Sequence, residues 1–63
     1  MDRNKLTLKN AELYSGAELL DLYGSDILDQ LRQLRDAAVR RDDDAQVAML
    51  DLRRLQIEAI LGI

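Results

Sequence analysis

The chain has 63 residues, which allows one small domain; at this length only about 60% of the unfolded surface is buried, so a lone core is marginal. It contains no Cys and no His, which excludes disulfides, zinc sites and the usual nucleophile–base pairs and leaves oligomerisation as the remaining way to staple a small fold. A net charge of −3 excludes the strongly basic field expected of a nucleic-acid binder.

The composition favours helix. Leu, Ala, Arg and Asp dominate, there is no Pro, and β-branched residues are few. A hydrophobic fraction of 48% is too high for simple disorder. Residues 1–6 read as a loose polar terminus. Thr7 then caps a short helix over Leu8–Tyr14, with Leu8 and Leu13 as its apolar contacts. Lys5-Leu6-Thr7-Leu8 also alternates polar and apolar, so an extended start is the competing reading. Ser15-Gly16 ends the first segment. Ser15 with Glu18 forms a capping box for a second short helix through Tyr23, and Gly24 stands where a left-handed residue would close it.

Ser25 or Asp26 starts a longer helix, Ile27 to about Arg41. Its seam is Ile27, Leu31, Leu34 and Ala38, widened by Leu28 and Val39, and Asp36–Arg40 is a favourable i,i+4 pair on the wet side. Asp42-Asp43-Asp44 interrupts the pattern, and Asp43 with Gln46 caps a final helix from residue 45 to about 62. A connection this short predicts an antiparallel hairpin of the two longer helices. One unbroken helix through the Asp run is the alternative, because Asp is only mildly unfavourable inside helices.

The final helix is apolar on two faces. At about 100° per residue, a broad stripe holds Ala48, Met49, Leu52, Leu55, Ala59, Ile60 and Ile63. A narrow one holds Leu50, Ile57 and Leu61. The broad stripe is expected to pack on the Ile27–Leu31–Leu34–Ala38 seam. The narrow stripe then faces either the chain's own residues 8–23 or a partner chain, and the size limit favours the partner. The interface residues expected are Leu50, Ile57 and Leu61, with Arg53, Arg54, Tyr14 and Tyr23 around them.

Chemistry has little to work with. The Asp42–Asp44 run lacks the ligand spacing of a calcium loop and reads as caps and solubility. The hydroxyls of Thr7, Ser15 and Ser25 have no His or Cys beside them. The pairs Arg40-Arg41 and Arg53-Arg54 have no aromatic stacking partners. Charge is uneven: residues 1–31 carry three bases against six acids, and residues 32–63 carry six arginines against six acids. No apolar run approaches the roughly 18 residues of a membrane span, and Met1–Lys5 leads into no secretory segment.

The expectation is therefore an all-α chain: short N-terminal helices, then an antiparallel hairpin that dimerises into a coiled-coil-like helical bundle. It is expected to be cytoplasmic, of bacterial or phage type, with no cofactor and no catalysis. Its work is protein binding, as a regulator, inhibitor or adaptor. A structural or docking subunit is the alternative, and a nucleic-acid-binding dimer is less favoured.

Overall fold

The structure, a computed structural model, describes residues 5–63. Four α-helices follow one another: α1 (Leu8–Leu13), α2 (Gly16–Tyr23), α3 (Ile27–Arg40) and α4 (Asp44–Leu61), with a single 3-10 turn, Gly24–Asp26, joining α2 to α3. No strand occurs among the described residues. The two long helices form an antiparallel hairpin. α2 packs mainly on α4 and secondarily on α3, and α1 rests against α4.

Local signals set these boundaries. Thr7 Oγ1 accepts from the Asn10 amide at 3.2 Å and opens α1. At α2 the capping box is complete: Ser15 Oγ accepts from the Glu18 amide, and Glu18 Oε1 accepts from the Ser15 amide. Gly24 ends α2 with φ +74° and ψ −161°, a positive-φ conformation but not the left-handed helical one expected of it. Of the two residues expected to open α3, Ser25 lies inside the 3-10 turn and Asp26 makes no side-chain cap. The 3-10 turn removes the need, since Ile27 N–H already donates to Gly24 O.

The Asp run is a break, as its composition suggests. Asp43 N–H donates to Ala38 O and Asp42 N–H to Val39 O, the paired bonds of a Schellman close. Asp42 takes the left-handed position at φ +56°, the one non-glycine among the described residues to do so. Asp43 Oδ1 then accepts from Gln46 N–H and opens α4. The Gln46 side chain does not reach back to complete a box; its Oε1 accepts instead from Arg41.

The core is Leu6, Ala11, Leu19, Ile27, Leu31, Ala38, Leu50 and Ile57. Two expectations change here. Leu6 is buried, and its N–H donates to Gln30 Oε1, so residues 5 and 6 are not a loose tail; the rest of the expected loose terminus, residues 1–4, lies outside the described residues. The second change concerns α4. Its narrow stripe, not its broad one, faces inward: Leu50 and Ile57 are 1% and 0% exposed. They meet the α3 seam of Ile27, Leu31 and Ala38, and Leu19 of α2 closes the cluster.

Candidate functional site

The inward turn of Leu50 and Ile57 leaves the opposite side of α4 uncovered. Leu52 and Leu55 are 51% and 54% exposed, and Ala45, Ala48 and Ala59 are exposed beside them, while Ile60, 53% exposed, lies off this side. At about 100° per residue, Ala45, Ala48, Leu52, Leu55 and Ala59 lie within one narrow band diametrically opposite Leu50. Their spacing is three, four, three, four, the seam pattern of paired helices. Along α4, roughly 27 Å at 1.5 Å per residue, this band is continuous.

The residues expected at the interface are thus redistributed. Leu50 and Ile57, expected at the interface, belong instead to the chain's own core and are closed to a partner. Leu61, at the end of the same stripe, stays 43% exposed. Tyr14 and Tyr23 are half-buried against the core. The Tyr23 hydroxyl accepts from Asn10 Nδ2 at 2.8 Å and ties α2 to α1.

Arg53 is used inside the chain. Its Nε donates to Ala11 O at 2.9 Å and its Nη2 to Glu12 O at 3.2 Å. These are carbonyls in the last turn of α1, which has no further helix to satisfy them. Arg54 sits on the α3 side of α4. Its Nη1 donates to Glu58 Oε2 at 3.0 Å, and its Nε lies 3.6 Å from Asp51 Oδ1. From α3, Arg35 Nε approaches the same Asp51 oxygen to 2.9 Å, an ionic contact whose angle falls outside hydrogen-bond geometry. The Asp36–Arg40 pair expected along α3 does not form. Among the described residues, the inter-helix bridge is Arg35–Asp51.

Between α3 and α4 these side chains border an open groove of about 310 Å³, lined by Leu31, Arg32, Arg35, Leu50, Asp51 and Arg54. Among the described residues no three side chains of metal-ligating type are brought together, and no helix is long and apolar enough to cross a membrane. Elsewhere on the surface Leu13, Leu22 and Val39 are exposed singly on three different helices. The α4 band is the one place among the described residues where large apolar side chains recur on one helix face.

The sequence carried a signal for this arrangement in the seven-residue broad stripe itself. The groove had no such signal, because it needs Arg32 and Arg35 brought beside Asp51 and Arg54 across the hairpin. Compared with known proteins, the chain matches no family model, no curated protein and no solved structure.

Proposed function

We propose that this chain is a non-catalytic protein-binding module, a regulator or adaptor that acts by laying the exposed face of α4 on a partner. One observation carries the reading: Leu52 and Leu55 stand half-exposed on a helix whose other side already completes the core. Apolar side chains repeated along one helix face are the usual anchors of helix-in-groove recognition. The structural-subunit alternative uses the same face. The nucleic-acid alternative loses support, because Arg53 and Arg54 are engaged within the chain.

The test is capture of a partner from source-cell lysate by the wild-type chain and by Leu52→Gln/Leu55→Gln. A protein retained by the first and lost by the second, with helicity unchanged, supports the reading. Equal capture by both overturns it.

A homodimeric bundle is a second reading. The order Ala45, Ala48, Leu52, Leu55, Ala59, Gly62 has the same sequence of small and large residues in both directions, so a second copy of α4 meets small with small and large with large. Light scattering that gives 7.2 kDa at every concentration overturns that reading.

A further inference from the structure

We infer that the groove between α3 and α4 is a receptor for a carboxylate side chain of the partner polypeptide that lies on the α4 face; the inference rests on the protein-binding reading above. Three guanidinium groups, Arg32, Arg35 and Arg54, border the groove, against Asp51 in it and Glu58 beside it. The pairing inside the chain leaves cationic capacity over. Arg35 and Arg54 share a single Asp51 oxygen. Arg32 makes no ion pair or hydrogen bond among the described residues and is exposed. The side chains of Arg35 and Arg54 are 41% and 40% exposed, so an incoming group reaches them without rearrangement of the fold.

The chemistry selects a single carboxylate. A guanidinium presents a planar fork that matches a carboxylate two-on-two. Asp51 in the groove repels a dianion more than a monoanion, which disfavours phosphate. The chain as a whole carries −3 and repels a polyanion at longer range, which disfavours nucleic acid. The floor, Leu31 and Leu50, is sealed apolar surface and lowers the local dielectric beneath the arginines.

The position links the groove to the face. Asp51 lies on α4 between the Leu52–Leu55 band and α3. A helix seated on Leu52 and Leu55 runs alongside the Asp51 edge of this groove, so an acid on its α3 side would face the arginines across Asp51. The chemistry of the expected partner is therefore an amphipathic segment with an aliphatic row and an Asp or Glu on one flank. A second copy of this chain fits less well, because the acids on the same flank of its α4, Asp51 and Glu58, are already held by its own Arg35 and Arg54.

The experiment is an NMR titration of the full ¹⁵N-labelled chain, read at the Nε–Hε resonances of Arg32, Arg35 and Arg54. The probe is glutamate, N-acetylated and C-amidated, at constant ionic strength, with the glutamine analogue and inorganic phosphate as comparisons. Glutamate is expected to shift these resonances saturably, glutamine to leave them in place, and phosphate to bind more weakly. Arg32→Gln is expected to weaken glutamate binding about threefold, the scale of an exposed charge pair, with no loss of helicity. Shifts that do not saturate, equal shifts with glutamine, tighter binding of phosphate, or an affinity indifferent to Arg32→Gln would each overturn the inference. Leu52→Gln/Leu55→Gln separates the two proposals. If capture depends on those leucines and the groove ignores glutamate, only the groove assignment falls. If the groove takes glutamate and capture is indifferent to the leucines, the binding-face reading falls.

Discussion

The Gly16 N–H donates to Gln56 Oε1 at 2.8 Å, and a Cβ placed on Gly16 would stand 2.5 Å from Gln56 Cβ. The first turn of α2 thus presses its bare backbone onto α4. Helix propensity alone favours Ala over Gly in a helix, by roughly 0.5–1 kcal/mol. The close approach reverses the sign. Gln56 Cβ is the fixed root of a side chain and cannot swing away, so Gly16→Ala has to part the two helices. Overpacking of this kind costs about 1–3 kcal/mol. Urea unfolding is expected to show Gly16→Ala less stable than wild type; a more stable variant would disprove the tight α2–α4 contact.

Asp42 gives the opposite case. It occupies the left-handed position of the Schellman close at φ +56°. That conformation crowds Cβ against the backbone and costs a residue other than glycine roughly 1 kcal/mol, of which Asp recovers a part through its short polar side chain. Asp42→Gly removes the strain at the expense of a looser unfolded chain. The expected net effect is stabilisation of about 0.5 kcal/mol, seen as a higher urea midpoint with an unchanged slope. A lower midpoint would mean that the Asp42 side chain contributes more than its backbone costs.

The α1 segment depends on a residue far along the chain. Arg53 holds the Ala11 and Glu12 carbonyls, and α1, of six residues, is too short to persist unaided. Arg53→Ala is expected to cost about 1.5 kcal/mol of global stability, the lower end of the range for a charged group's hydrogen bonds, because one of the two is solvent-exposed. Amide exchange over residues 8–14 should quicken beyond that global change. Arg53→Lys should recover little of the loss, because a lysine cannot reproduce the two-pronged contact. Exchange that speeds up uniformly over the whole chain would remove Arg53 as the local clamp.

Arg53 also explains which parts of the fold were legible in the sequence and which were not. Helix limits were readable, because Thr7, Ser15 with Glu18, Gly24 and Asp43 state them locally, and each acts within three or four residues. The all-helical class and the hairpin followed from those limits. The face of α4 that turns inward was not readable. At about 100° per residue Arg53 and Arg54 flank Ile57 on either side, and two charges beside a short apolar stripe resemble a wet surface. In the fold both are partly buried along their stems. Arg53 is drawn to the carbonyls of α1, and Arg54 to Asp51 and Glu58. Those partners lie in another helix or on the helix flank, so stripe width could not reveal them. The broad stripe is wide partly because of Ala48 and Ala59, which bring little area to bury. Residues 8–23 contribute to the cover of the narrow stripe through Ala11 and Leu19, while Leu13 and Leu22 remain exposed.

The two faces of α4 can be set against each other directly. Leu50 is fully buried between α3 and α4, so Leu50→Ala leaves a cavity and is expected to cost about 2–5 kcal/mol, a large share of the total stability of so small a domain. Leu52, two residues on and 51% exposed, touches little of the chain's own core. Leu52→Ala is expected to change the stability of the isolated chain by no more than about 0.5 kcal/mol. The comparison holds residue type, helix and substitution constant, so propensity cancels and burial alone separates the two variants. Urea unfolding in dilute solution checks the order, and dilution matters because a self-associating α4 face would lend Leu52 a contribution that grows with protein concentration. Equal losses at the lowest concentration, or a larger loss at Leu52, would return the broad stripe to the core and place Leu50 and Ile57 at the surface. A Leu52 effect that appears only as the concentration rises would instead identify a second copy of the chain as what covers this face.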